Sequence, residues 1–360
     1  TDETDDTDDK VTTRKFDFDK LHCIVERVTE NLNQVIDKNF YPTPEARRSN
    51  LFHRPIGIGV QGLADAFLQL ELAWDSPEAR KLNVDIFETI YHAAMAKTIA
   101  LARRDGPYKT YEGSPLSQGK LQFDLWKESS SYDDTRRYDW DDIRRDLARF
   151  GARNSLLVAP MPTASTSQIL GNNECFEPFT ANIYSRRTLA GEFHVINKHL
   201  VKKLKSLNQW NDRTTNQIIA DRGSVKNLDF LSDAEKNLFR TVWEIPQRII
   251  LDMAADRARY ICQSQSLNIH IENPTTGKLT SMHFYAWKKG LKTGMYYLRS
   301  QPRVHAIQFT VDEKLLKKSN DNAIDDTEEV SLAAAKKDLD EGGVPMKYQK
   351  NDGASSHFYF

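Results

Sequence analysis

Ser155-Leu156-Leu157-Val158-Ala159, followed at once by Pro160-Met161-Pro162-Thr163-Ala164-Ser165-Thr166-Ser167-Gln168, decides the fold class. The first five residues are apolar and stop at a proline, as in a strand buried on both faces of a parallel sheet. The chain then turns into small hydroxyl residues, and residues 165–170 suit a short helix opening at that strand's C-terminal end. Unpaired N–H groups at a helix start, the positive end of its dipole and the hydroxyls of Thr163, Ser165, Thr166 and Ser167 together suit a phosphate. An ordinary hydroxyl-capped helix start uses the same residue types, so the elbow alone leaves both readings open.

Working outward, residues 181–184, 266–271 and 295–299 read as further strands, separated by helical stretches in a βα rhythm that argues for an α/β architecture. Leu21, Ile24, Val25, Val28, Leu32, Val35 and Ile36 recur at helical spacing and predict one core-facing stripe, ended before Pro42 and Pro44. Ser76-Pro77-Glu78 opens a long helix that runs to Arg104 before Gly106-Pro107 and is expected to pack on a sheet. A helix over residues 139–150 ending at Gly151, a capping box at Ser232-Asp233-Ala234-Glu235 and a helix from Pro246 to about Tyr260 follow. Residues 1–15 are an acidic low-complexity stretch and residues 312–360 a charged one with little periodicity; both read as flexible tails flanking a folded unit over residues 16–311.

The 360 residues carry a formal net charge of -1, which gives no electrostatic footprint for DNA, RNA or acidic membranes and leaves a nucleotide monomer open. No apolar run reaches membrane-spanning length. Cys23, Cys175 and Cys262 form no CxxC pair, which argues against zinc and suits a reducing, cytoplasmic compartment. Gly57-Ile58-Gly59-Val60-Gln61-Gly62 matches the G-x-G-x-x-G string, but Asn50-Leu51-Phe52-His53-Arg54-Pro55 before it is no buried strand, so a tight turn with close backbone packing is the better reading.

Several long strings, in order along the chain, resemble the large subunit of class I ribonucleotide reductases of eukaryotic style, specifically its C-terminal part. They are Arg54-Pro55-Ile56-Gly57-Ile58-Gly59-Val60-Gln61-Gly62-Leu63-Ala64-Asp65, the hydroxyl elbow with Gly171-Asn172-Asn173-Glu174, Gln263-Ser264-Gln265-Ser266-Leu267-Asn268, Leu279-Thr280-Ser281-Met282-His283-Phe284-Tyr285 and Gly294-Met295-Tyr296-Tyr297-Leu298-Arg299. The resemblance runs from about Phe16 to about Thr310. It implies an α/β fold, the second half of a ten-stranded α/β barrel built from two five-stranded parallel halves.

The resemblance also implies roles. Thr163, Ala164, Ser165 and Thr166 match the family's binding loop for the diphosphate of a ribonucleoside diphosphate, with Pro162, Ser167, Asn172, Asn173 and Glu174 supporting it. Tyr296 and Tyr297 match tyrosines that relay an electron, coupled to a proton, between a radical-generating small subunit and a cysteine; a phenol can release that proton and a phenylalanine cannot. Taken without the resemblance, adjacent tyrosines in a strand read as two core aromatics, and regular pleating sends their rings to opposite faces.

Departures from the family pattern are equally informative. The thiyl-forming cysteine, its Asn-x-Cys-x-Glu loop and the redox cysteine pairs cannot be located, and Cys175, in Glu174-Cys175-Phe176-Glu177, reads as a structural thiol, as do Cys23 and Cys262 on helical segments. No metal and no directly bound cofactor is expected; the radical would come from a metal-containing small subunit, and the ATP and dNTP effector sites would lie upstream of residue 1. The implied partners are a ribonucleoside diphosphate, the small subunit, a complementary N-terminal portion and a thioredoxin or glutaredoxin system. Two functions stay open: a component of the reductase that is inactive alone, or a non-catalytic nucleotide-binding or assembly module derived from it.

Overall fold

The computed structural model describes residues 14–126, 136–188 and 191–301. The expectations for residues 1–13 and 312–360 fall outside them. The helices are α1 (Phe18–Lys38), α2 (Pro44–His53), α3 (Leu63–Gln69), α4 (Pro77–Asp105), α5 (Trp140–Phe150), α6 (Thr166–Leu170), α7 (Lys198–Ser206), α8 (Asp212–Ala220), α9 (Asp233–Leu238), α10 (Gln247–Ala258) and α11 (Thr276–Lys288). The strands are β1 (Ile183–Thr188), β2 (Gly191–Ile196), β3 (Ile269–His270) and β4 (Leu298–Arg299).

Local chemistry sets the boundaries. Asp17 caps α1 by accepting from Lys20 N, Ser76 caps α4 ahead of Pro77, and Ser232 with Glu235 forms the expected capping box of α9. The α1 stripe differs from the sequence expectation. Its buried positions are Val25, Thr29, Asn33 and Ile36, while Ile24 and Val35 are exposed. The buried Arg54 guanidinium explains the shift: it takes Asn33 Oδ1 at 2.9 Å and the Asp37 carboxylate at 2.7 Å, so α1 must turn polar atoms inward.

Helix α4 packs on α1, α5 and α10 and is buried around most of its circumference, and its Thr98 also meets the start of the inner extended segment, Asn154 N donating to Thr98 Oγ1 at 2.9 Å. Phe87, Ile90, Tyr91, Met95 and Ile99 are all buried in the main core, each contributing roughly 1.5–3 kcal/mol by leaving water.

Four extended segments run side by side. Residues 56–58 pair with residues 156–159 (Ile56 N to Leu156 O 2.9 Å, Ile58 N to Leu157 O 2.8 Å, Ala159 N to Ile58 O 2.9 Å), with a parallel bridge between Ile58 and Val158. On the other flank Gln263 N reaches Val158 O and Ser266 N reaches Pro160 O, and beyond that β3 pairs in parallel with β4. The strand predicted at residues 155–159 is therefore the inner member of an open parallel run, and no closed barrel is formed among the described residues. Residues 181–184 depart from expectation: they open an antiparallel hairpin, β1 with β2 in the register Ile183 to Ile196, which joins α7 and α8 around a second small core of Leu200, Leu204 and Ile218. No helix among the described residues is long and apolar enough to cross a membrane.

Candidate functional site

The hydroxyl elbow sits where the inner extended segment ends. Thr163 turns the chain with φ +57°, a left-handed conformation that is strained for a β-branched residue, and its Oγ1 accepts from Cys175 N at 2.8 Å. Ala164, Ser165 and Thr166 are exposed, Pro162 is half-buried, and Ser167 faces inward, fully buried. Ser167 N donates to Thr163 O and Asn172 N to Ser167 O, closing α6 into a compact turn. The G-x-G-x-x-G string braces the elbow from below. A Cβ on Gly59 would meet Met161 N and Pro160 Cα at 3.2 Å, and Gly62, at φ +78°, packs against Asn172. The glycines serve close backbone approach, as expected.

The supporting loop is held by groups that sequence reasoning left without a role. Asp65 Oδ2 accepts from Asn173 N at 2.7 Å, and its Oδ1 accepts from His199 Nε2 at 2.8 Å. Burial pushes the Asp65 carboxyl up, but those hydrogen bonds outweigh it and hold the group below the usual carboxylate range. Gly62 N donates to Asn173 O, Asn173 Nδ2 to Glu177 O, and Lys198 Nζ to Gly171 O. Asn172 and Asn173 thus occupy a loop tied to α3 and α7.

Glu174, Asn173 and Gln168 line a cleft of about 480 Å³ together with Glu177, Asn268, His270 and Arg299. Glu177 is buried; desolvation, then the nearby Glu174, push its pKa up to about 7, although Asn268 Nδ2 donates to its Oε1 at 2.5 Å. His270 is 6% exposed, its Nδ1 has no hydrogen-bond partner among the described residues, and burial pulls its pKa down to about 4. Beneath the loop, the buried Arg257 binds Gln265 Oε1 at 2.6 Å and lies 3.9 Å over the Phe176 ring.

Tyr296 and Tyr297 are neither core residues nor on opposite faces. They are 50% and 51% exposed, and their rings meet edge to face with centroids 4.4 Å apart. The neighbouring Tyr297 phenol raises the Tyr296 pKa above that of an ordinary phenol. Arg299 lies 5.0 Å over the Tyr297 ring. The tyrosines do not line the cleft themselves; Asn268 and Arg299 connect them to it.

Cys175 is fully buried, and desolvation pushes its thiol up to about 12, so the reactive thiolate is suppressed. Cys23 lies exposed on α1, whereas Cys262 lies beyond the end of α10 and not on a helix. Among the described residues no group of three or more His, Cys, Asp or Glu is placed to hold a metal ion.

The family described as the ribonucleotide reductase barrel domain matches residues 7–297. The chain is 57% identical over 306 residues to the ribonucleoside-diphosphate reductase large chain of Neurospora crassa, covering 85% of this chain and 32% of that protein. It is 58% identical to the large subunit of Arabidopsis thaliana, covering 88% of this chain and 38% of that one. A class Id ribonucleotide reductase alpha subunit from Actinobacillus ureae superposes with a TM-score of 0.61 at 27% identity, over 79% of this chain and 46% of that chain. The chain thus spans about a third of the length of the curated relatives it matches, and it belongs to the ribonucleotide reductase barrel-domain family.

Proposed function

We propose that this chain is the C-terminal part of a class I ribonucleoside-diphosphate reductase large subunit. In that role it holds the substrate diphosphate at residues 163–166 and passes a radical through Tyr296 and Tyr297. The observation that carries this reading is the edge-to-face contact of the two half-exposed tyrosine rings, with centroids 4.4 Å apart. Core aromatics would be buried. In the relay each tyrosine loses one electron and its phenolic proton together and recovers both from the next group, so the neutral radical moves without building up charge.

The exposed Ser165 and Thr166 hydroxyls at the start of α6 support the phosphate assignment, as does the strained Thr163 that turns the chain toward them. The buried Cys175 is unsuited to thiol chemistry, so the thiyl-forming and redox cysteines would come from a complementary N-terminal portion. That portion would also supply the first half of the barrel, completing the open parallel run, and would carry the ATP and dNTP effector sites. A metal-containing small subunit would supply the radical and a thioredoxin or glutaredoxin system the electrons.

The test is product formation from ribonucleoside diphosphate with small subunit, effector and reductant present. Deoxynucleotide is expected only when the complementary portion is added. Formation by this chain alone would contradict the proposal, and inactivity of a well-folded complex that still binds diphosphate would favour a non-catalytic binding module.

A further inference from the structure

The approach of the two tyrosine rings needs an explanation, because a regular strand separates neighbouring side chains. Backbone hydrogen bonds supply it. In a parallel pair, the residue opposite position 268 donates its N–H to the carbonyl of 267 and accepts from the N–H of 269. Tyr297 is that residue, since Ile269 N donates to Tyr297 O at 2.9 Å. Its other bond is usurped: the Leu267 carbonyl is taken by Tyr296 N at 2.6 Å. Tyr297 N donates instead to the side chain of Asn268, Oδ1 at 3.2 Å. Two consecutive residues therefore oppose one position of the neighbouring segment, the arrangement of a bulge, which re-aims a side chain. Such an irregularity leaves one amide without its ladder acceptor, and the Asn268 side-chain oxygen stands in for the missing carbonyl.

We infer that Asn268, held by Glu177, is the positioning residue that brings Tyr296 and Tyr297 onto one side of the strand. The carboxamide is 7% exposed and is gripped at both ends, accepting from Tyr297 N and donating through Nδ2 to Glu177 Oε1 at 2.5 Å. Glu177 is itself 9% exposed and is anchored through its backbone carbonyl by Asn173 Nδ2. The chain Asn173, Glu177, Asn268, Tyr297 thus links the supporting loop of the elbow to the tyrosine pair. Neither Asn268 nor Glu177 touches a reacting atom; both act through the backbone of Tyr297. The structural part stands by itself, while its consequence for turnover rests on the relay proposed above.

Two measurements separate these parts. The first uses this chain with ring-¹³C-labelled tyrosine, the Tyr296 and Tyr297 resonances being assigned from the single Phe variants. Asn268→Leu is expected to move both resonances toward those of a solvated tyrosine, whereas Glu177→Gln, which still offers an acceptor to Nδ2, leaves them in place. Should Asn268→Leu not fold, Glu177→Leu, which leaves the carboxamide unheld, takes its place with thermal unfolding followed in parallel. Unmoved resonances in a folded Asn268→Leu or Glu177→Leu chain would overturn the inference. The second uses the completed reductase, where Asn268→Leu is expected to lower kcat by about a hundredfold at a nearly unchanged KM for the diphosphate, as misplacement of a reacting group does. Glu177→Gln should restore most of the turnover lost in Glu177→Leu. Parental turnover of Asn268→Leu beside an inactive Tyr297→Phe would refute the positioning role and leave the relay standing. Parental turnover of Tyr297→Phe would remove the relay, and the resonance shifts would still decide the positioning.

Discussion

The Oγ1 of Thr163 accepts the backbone N–H of Cys175 at 2.8 Å, so the residue that turns the chain into the elbow also fastens the loop that supports it. Thr163 and its neighbours should therefore respond differently to substitution. Thr163→Ala is expected to lower stability by about 1–2 kcal/mol through the unpaired Cys175 amide, and Thr163→Ser to restore it, both read from urea unfolding. Ser165→Ala with Thr166→Ala alters two exposed residues and removes only the long 3.5 Å bond from Thr166 Oγ1 to Thr163 O, so stability should change by less than about 0.5 kcal/mol.

The same double variant should weaken diphosphate binding. Each hydrogen bond to a charged phosphate contributes roughly 1.5–3 kcal/mol before the remaining donors compensate. Calorimetry on the completed enzyme is expected to give a similar loss for all four bases, since the phosphate carries no base identity. Unchanged binding would remove the phosphate assignment.

Asp65 joins α3, α7 and the loop at residues 172–174 through His199 and Asn173 N. Asp65→Ala leaves both donors without an acceptor in a largely buried site and should cost about 3 kcal/mol in urea unfolding. A loss below about 0.5 kcal/mol would show that the loop is held by its other bonds.

Glu177 gives a pH signature. Its folded pKa of about 7 lies above the ordinary carboxylate value, so the folded state binds the proton more tightly than the unfolded one. The stability it contributes is complete below about pH 4.5 and is lost as pH rises through 7, by at most about 3 kcal/mol. His270, Arg299, Arg257 and Glu174 face the same region, and His270, with its depressed pKa, works in the opposite direction by losing stability as pH falls from about 6.5 towards 4. Subtracting the unfolding free energy of Glu177→Gln at each pH isolates the carboxyl. That difference should fall between pH 4.5 and 7, and a flat difference would contradict the buried, proton-holding carboxyl.

Much of the architecture was legible in the sequence. Residues 155–159 do lie as the inner member of a parallel run, although only Val158 forms a ladder bridge, and the caps at Ser76 and Ser232 mark helix starts because a side-chain oxygen bonding an N–H three residues on is a local event. Long-range events were not legible. The stripe on α1 was misjudged because Arg54, distant in sequence, draws Asn33 inward. The antiparallel pairing of β1 with β2 was not legible, because a four-residue string such as Ala181-Asn182-Ile183-Tyr184 does not reveal its partner. The Tyr296 and Tyr297 rings defied the pleating rule because Asn268 replaces a backbone acceptor. Asn268 stood in a quoted string, but nothing local indicates that its partners lie 29 and 91 residues away.

The most direct test of the account is turnover of the completed reductase with Tyr296→Phe and Tyr297→Phe. Each variant keeps the ring and removes one half-exposed hydroxyl, so unfolding free energy should change by no more than about 0.5 kcal/mol and diphosphate affinity should stay at the parent value. Turnover is expected to fall at least about a thousandfold, equivalent to ~4 kcal/mol of barrier, because a phenylalanine ring has no proton to release. Near-parental turnover in both variants would contradict the relay.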